Sequence, residues 1–106
     1  ICMGVYHCIY CHWVINRPLP KKKFGGLVEF LSRVLKEKFG IRGIKRKVLK
    51  NIRNAKKIQG IESEEIYPIC RYCLIEVFQL YVNEENAHRE LDKFLRAYDF
   101  KGSIIC

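Results

Sequence analysis

Apolar side chains recur at spacings of three and four residues in the middle of the chain, as in a helix with one buried face. The first such run has its apolar positions at Leu27, Phe30, Leu31, Val34 and Leu35. Gly40 followed by Ile41 predicts its end, because glycine readily takes the left-handed conformation that terminates helices. Before this run, Pro18 and Pro20 predict a break that continues through residues 21–26, a lysine run followed by two glycines.

A second helix is predicted from Ile44 to Ile58, because its apolar positions also follow helical spacing. These positions are Ile44, Val48, Ile52 and Ala55. Gly60 followed by Ile61 repeats the terminating pattern of the first helix. The two predicted helices, joined through glycines, also fit a helix-turn-helix arrangement, in which the second helix can enter a nucleic-acid groove.

The two ends of the chain predict a small β element and two more helices. Residues 3–15 predict short strands flanking a turn, and residues 61–69 a loop or short strand. A third helix is predicted from Cys70 to Val82, with Leu74, Val77, Phe78 and Tyr81 on its core side. A fourth is predicted after Asn83 as its cap, with a stripe of Ala87, Leu91, Phe94, Leu95 and Tyr98. Gly102 is expected to end it before a terminal strand at 103–106.

These patterns predict a mainly α fold with a small β element, in a single domain of 106 residues. Its parts are an N-terminal turn at 1–20, a basic two-helix insert at 21–60, and C-terminal helices at 61–106. No run of eighteen apolar residues is present, so no membrane span is predicted. The first fifteen residues do not have the pattern of a signal peptide, and an intracellular location, cytoplasmic or nuclear, is expected.

Two pairs of cysteines with CxxC spacing indicate a metal site. Cys8, Cys11, Cys70 and Cys73 can together supply four thiolates to one tetrahedral Zn²⁺ ion. Such a closed shell is typical of structural zinc, because no ligand position remains for water or substrate. The wide separation of the pairs, residues 12–69, requires a folded insert that the metal clasps.

A turn that donates one cysteine pair and a helix start that donates the other resemble a treble-clef module or a zinc knuckle. The segments Cys8-Ile9-Tyr10-Cys11 and 67–74 are also similar to the zinc domains of a family of papillomavirus early proteins. That likeness covers about two dozen residues, and the long basic insert departs from the family pattern. Both resemblances imply structural zinc.

Other roles for these residues remain open. The cysteines also fit redox dithiols, disulfides or an iron–sulfur cluster, although the βαβ pattern around a thioredoxin-like motif is absent. His7 and His12 are interpreted as neighbours of the ligands, and Cys2 and Cys106 as apolar strand residues. The nearby aromatic residues are expected to pack around the metal, with base stacking as the alternative. They are Tyr6, Tyr10, Trp13 and Tyr72.

Positive charge is concentrated in one part of the chain. Residues 17–59 contain fifteen Lys or Arg and two Glu, whereas residues 60–106 contain five basic and nine acidic residues. On a helical wheel, Arg46, Lys50, Arg53 and Lys57 fall on one side of the second helix, opposite its apolar face. Lys45, Lys47 and Lys56 are expected to widen this stripe. A polyanion is therefore the expected partner.

The sequence thus predicts a zinc-binding protein that binds DNA or RNA through a basic helix, as a small transcriptional or RNA-associated regulator. The alternative is a zinc-stabilised protein-interaction adaptor whose C-terminal helices receive a partner. An enzyme is not expected, because no nucleophile–base pair, phosphate loop or open metal site is found in the sequence. A solvated, lysine-rich face with no partner is the simplest alternative for the basic helix.

Overall fold

A computed structural model describes residues 6–15 and 18–97, with the side chains of 95–97 left out. Four helices and four two-residue strands make up this part of the chain. In chain order they are β1 (Tyr6–His7), β2 (Val14–Ile15), β3 (Leu19–Pro20), α1 (Lys21–Phe39), α2 (Ile44–Ile58), β4 (Ile66–Tyr67), α3 (Arg71–Leu80) and α4 (Glu85–Ala97). The predicted mainly helical fold with a small β element is confirmed. The predictions for Cys2, Leu95, Tyr98, Gly102 and 103–106 lie outside what is described.

Helix α2 has the predicted bounds, and its glycine terminator is observed. Gly60 has a φ of 76°, in the left-handed region. Its amide donates to the carbonyl of Lys57 at 3.1 Å, and the amide of Ile61 donates to that of Lys56 at 2.9 Å. This pair of bonds satisfies the carbonyls left free at a helix end. Gly40 ends α1 in the same left-handed conformation, with a φ of 69°.

Helix α1 starts six residues earlier than predicted, at Lys21 instead of Leu27. Gly25 and Gly26 therefore lie inside the helix, although glycine costs about 1 kcal/mol relative to alanine there. Tertiary contacts offset this cost. The ring of Phe24 is buried and stacks on Tyr67 with centroids 4.0 Å apart, and the Lys21 amide donates to the Glu65 carbonyl at 2.9 Å.

The C-terminal helices differ slightly from the prediction. Helix α3 begins one residue after Cys70, which occupies its N-cap position, and ends at Leu80. Helix α4 begins at Glu85, so the residue directly before it is Glu84 and not the predicted cap Asn83. No helix in the described ranges is long and apolar enough to cross a membrane.

The core lies where the four helices meet the two small sheets. Most of the predicted apolar faces are buried there, including Leu31, Leu35, Val48, Ile52, Leu74, Phe78 and Leu91. Phe30 is an exception, because its side chain is 43% exposed and packs edge-on against Phe94, with centroids 5.6 Å apart. Ala55, Val34 and Tyr81 are only half-buried.

The strands bring the N-terminal part of the described chain beside the segment that precedes α3. β1 pairs antiparallel with β2, and β3 pairs antiparallel with β4 in the register Leu19 to Tyr67 and Pro20 to Ile66. The second pairing joins segments almost fifty residues apart in sequence. It brings the N-terminal hairpin close to the start of α3, where the second cysteine pair lies.

Candidate metal centre and basic helix face

The first cysteine pair lies in the turn between β1 and β2. The Cys8 amide donates to the Trp13 carbonyl at 2.7 Å, and the His12 amide donates to the Cys8 carbonyl at 3.0 Å. His12 adopts a φ of 66°, in the left-handed region. This conformation closes the turn tightly, so that Cys8 and Cys11 lie on the same side of the hairpin.

The second cysteine pair lies at the start of α3. Cys70, in extended conformation, accepts the amide of Cys73 on its sulfur at 3.4 Å, in the manner of an N-cap side chain. A three-residue spacing places Cys70 and Cys73 on the same side of the first helical turn. The partial positive charge of a helix N-terminus favours thiolates at this position.

Backbone contacts hold the two pairs together. The Ile9 amide donates to the Pro68 carbonyl at 2.9 Å, and the Cys70 amide approaches the Cys8 sulfur at 3.4 Å. The hairpin turn is therefore fixed against the segment that leads into α3. The Tyr10 hydroxyl also donates to Asn51 on α2 at 2.6 Å, and Asn51 donates to the Tyr81 hydroxyl at 3.0 Å.

The four sulfurs lie within 4.8 Å of one another, close enough to hold a metal ion. The Sγ atoms of Cys11 and Cys70 are 3.7 Å apart. A tetrahedron with metal–sulfur distances of about 2.3 Å has edges of about 3.8 Å, so this separation fits a four-thiolate site. Cys8, Cys70 and Cys73 are buried, whereas Cys11 is exposed.

Clustering and burial affect the acidity of these thiols. The side-chain hydrogen bond with Cys70, together with backbone amides, lowers the pKa of Cys8 to about 4. Burial raises the pKa of Cys73 to about 12. The hydrogen bond with Cys8 and burial raise the pKa of Cys70 as well. Four adjacent thiolates repel one another, and the charge of a bound cation offsets that repulsion, so that the remaining protons are released.

The histidines beside the first pair are not part of the sulfur cluster. Nδ1 of His7 lies 3.0 Å from the His12 carbonyl, and both side chains are exposed. The described residues that could share one metal ion are the four cysteines alone. This arrangement agrees with the interpretation of His7 and His12 as neighbours of the ligands.

The aromatic residues near the cysteines divide into two groups. Tyr6 and Tyr10 are half-buried. Burial raises the pKa of Tyr10, whose hydroxyl donates to Asn51. Trp13 and Tyr72 are instead 53% and 41% exposed. The expectation that these two rings pack into a core around the metal was therefore wrong.

The predicted nucleic-acid-binding side chains are exposed on α2, namely Lys45, Arg46, Lys47, Lys50, Arg53 and Lys57. Lys45 forms an ion pair with Glu29 of α1. Within residues 6–15 and 18–94, no carboxylate forms an ion pair with any of the other five. We call these five residues, Arg46, Lys47, Lys50, Arg53 and Lys57, the basic face of α2.

Lys56 does not widen this face, contrary to expectation. Its side chain is only 5% exposed, and its ammonium donates to the Ser63 carbonyl at 2.6 Å. The same nitrogen lies 4.0 Å from the centroid of the Tyr67 ring, within range of a cation–π contact. Burial lowers the pKa of Lys56. Lys56 therefore has a structural role between the end of α2 and the following loop.

A groove of about 730 Å³ separates the N-terminal hairpin from α2. His12 and Tyr10 line it on the hairpin side, and Lys47, Lys50 and Asn54 line it on α2. The groove thus extends from the hairpin that carries Cys8 and Cys11 to part of the basic face.

Comparison of the chain with models of protein families, with curated proteins and with solved structures finds no match.

Proposed function

We propose that this chain is a zinc-binding protein that binds nucleic acid through the basic face of α2. The observation that carries the proposal is the exposure of five cationic side chains on a single helix without carboxylate partners among the described residues. Side chains of this kind attract phosphates, and the binding energy comes largely from release of the counterions around the nucleic acid. An intracellular location is part of this proposal.

The donor set favours zinc as the metal. Four thiolates in a tetrahedral arrangement are typical of structural zinc sites, which leave no position for water or substrate. A hairpin turn and a helix N-terminus that each supply two cysteines resemble a treble-clef module. In this proposal Cys8, Cys11, Cys70 and Cys73 hold the ion, and the protein is a binding module and not an enzyme.

The metal centre supports the basic face through a short series of contacts. Zinc would join the hairpin to α3, and the hydroxyl of Tyr10 in the same hairpin donates a hydrogen bond to Asn51 of α2. Asn51 in turn donates a hydrogen bond to the hydroxyl of Tyr81, the residue directly after α3. The ion would therefore fix the orientation of α2, which carries the cationic side chains.

The adaptor alternative has less support. Helices α3 and α4 bury most of their apolar side chains against each other and the core, including Leu74, Val77, Phe78, Ala87 and Leu91. Among the described side chains of these two helices, the large exposed apolar residues are Tyr72 and Leu80, at opposite ends of α3. Two such separated side chains offer little continuous apolar area for a partner helix, which usually inserts several residues of its own.

The proposal is tested by reversing charge on the basic face. Lys50→Glu combined with Arg53→Glu should weaken binding to single- and double-stranded oligonucleotides at least tenfold in fluorescence anisotropy titrations. Both side chains are exposed, so the thermal unfolding midpoint should change little. For the unaltered protein, log affinity should fall with log salt at a slope of about −3 to −4 if four phosphates are neutralised.

A matched control changes net charge by the same amount at another surface. Arg89 and Lys93 are exposed on α4, and the double variant Arg89→Glu with Lys93→Glu should retain nearly full affinity. Equal losses in both double variants would show that total charge alone governs binding. Absence of binding to every oligonucleotide at low salt would refute the proposed function.

A further inference from the structure

Two large aromatic side chains are exposed side by side next to the metal centre. The rings of Trp13 and Tyr72 meet edge-on, with centroids 6.3 Å apart and planes 89° apart. Both residues remain more than two-fifths exposed. Exposed aromatic rings that lie against each other offer flat apolar surface to a ligand.

The positions of these two rings are determined by the segments that carry the cysteines. Trp13 follows the turn that contains Cys11, and Tyr72 lies between Cys70 and Cys73. One ring therefore comes from each half of the metal centre, and the ion would fix their separation. Cys11, the exposed member of the cluster, precedes Trp13 by two residues. We call Trp13 and Tyr72 the aromatic pair.

Positive charge accompanies the aromatic pair. The guanidinium of Arg71 lies 5.0 Å from the Tyr72 ring centroid and donates to its hydroxyl at 3.1 Å. His12, directly before Trp13, lines the groove whose opposite wall carries Lys47 and Lys50. Trp13 therefore belongs to the hairpin that forms one wall of a groove leading to the basic face of α2.

This layout matches the two chemical parts of an unpaired nucleotide strand. Lysines along the groove suit phosphates, and exposed rings suit the faces of bases. Four thiolates around a divalent ion carry a net negative charge, which disfavours phosphates near Cys11 but leaves uncharged bases unaffected. Bases are therefore expected at the metal end of the groove and phosphates at the α2 end.

We infer that the aromatic pair is a stacking site for unpaired bases and that the chain binds single-stranded nucleic acid in preference to duplex. This inference rests on the proposed function and specifies the class of nucleic acid. In a duplex the base faces are covered by neighbouring base pairs, so they are unavailable to Trp13.

The test uses the intrinsic fluorescence of Trp13, the single tryptophan of the chain. Single-stranded DNA and RNA oligonucleotides should quench its emission on binding, because a stacked base contacts the indole. An abasic strand of the same length, which retains the phosphates, should bind more weakly and quench little. Trp13→Ala should reduce single-strand affinity about 5- to 150-fold, the range for loss of one stacked base.

Further variants keep the test independent of folding. Trp13→Phe preserves a ring and should retain most of the affinity, measured by anisotropy, and Tyr72→Ala should weaken binding in the same way as Trp13→Ala. Equal affinity for single strands, abasic strands and duplex, with no quenching and no effect of Trp13→Ala, would overturn the inference but leave the proposed function intact. Failure of every oligonucleotide to bind would overturn both.

Discussion

At His12 the backbone takes a left-handed conformation in the turn between the first two cysteines and β2. Such a conformation costs most residues about 1–2 kcal/mol, although histidine tolerates it better than β-branched residues do. The side chain is exposed, and its position beside Cys11 is determined by the closed turn. Substitutions at His12 therefore test both the geometry of the turn and whether His12 is one of the metal ligands.

Replacing His12 by glycine should change the free energy of unfolding by less than about 1 kcal/mol, because relief of strain offsets the greater flexibility of the unfolded chain. His12→Val should destabilise the protein by about 1–3 kcal/mol, because a β-branched residue is poorly tolerated at positive φ. Urea unfolding of the metal-loaded variants measures the difference. Equal stabilities of the His12→Gly and His12→Val variants would contradict the left-handed turn. A lower metal content in His12→Gly would indicate that His12 is a ligand.

Single residues were the hardest to place from the sequence. Trp13 and Tyr72 were expected to pack around the metal because large aromatic residues usually supply the buried area of small domains. Lys56 was expected to face solvent because lysine is rarely buried. In each case the outcome depends on tertiary neighbours, such as the Ser63 carbonyl and the Tyr67 ring, that no local pattern reveals.

Lys56 and Lys57, adjacent in the last turn of α2, differ in role because they lie on different sides of the helix. Lys56→Ala should destabilise the protein by about 1–3 kcal/mol, through loss of a charged hydrogen bond and of the contact with Tyr67. Lys57→Ala removes an exposed side chain and should alter stability by less than about 0.5 kcal/mol. Thermal or urea unfolding of the two variants provides the comparison.

For nucleic-acid affinity, Lys57→Ala should have the larger effect and Lys56→Ala the smaller one. Lys57→Ala is expected to lower affinity and to make the salt slope less steep by about one, as for loss of one phosphate contact. Lys56→Ala should leave both unchanged below its unfolding temperature. If the two variants lose affinity equally, the separation between the structural lysine and the basic face is wrong.

At the scale of elements, helix ends encoded by local residues were predictable and those set by distant contacts were not. The bounds of α2 and the end of α1 follow from a glycine and the apolar residue after it, as at Gly60 and Ile61. The start of α1 depends on the pairing of β3 with β4 and on the stack of Phe24 on Tyr67. Those contacts join segments more than forty residues apart, and nothing around Gly25 indicates them.

At the scale of the whole molecule, the chemistry of the cysteines predicted a contact between segments that are far apart in sequence. The spacing within each cysteine pair predicted that the four thiols converge, and their sulfurs lie within 4.8 Å. The groove beside Tyr10 and the exposure of the aromatic pair were not predictable, because both depend on how the hairpin packs against α2. The phosphate-binding role of the basic face stays a prediction.

A bound metal should stabilise the β1–β2 hairpin more than it stabilises the helical core. β1 and β2 contain two residues each, and a hairpin this short is not stable alone. Its described attachments to the rest of the fold include the Ile9 and Tyr10 hydrogen bonds, and a metal ion shared by the four cysteines would add another. The helices, by contrast, bury an extensive apolar core that includes Leu31, Ile52 and Phe78. Loss of the ion should therefore free the hairpin first and weaken the helical core second.

Elemental analysis of protein purified without added metal should give one zinc per chain, and Cys70→Ser should lower that content. Treatment with a chelator should accelerate amide hydrogen exchange in residues 6–15 far more than in α2, and should lower the unfolding temperature. His7→Ala is the control, because His7 contacts the His12 carbonyl and lies outside the sulfur cluster. Iron in place of zinc would indicate an iron–sulfur centre. A metal-free protein with unchanged exchange would contradict the metal centre altogether and favour redox thiols.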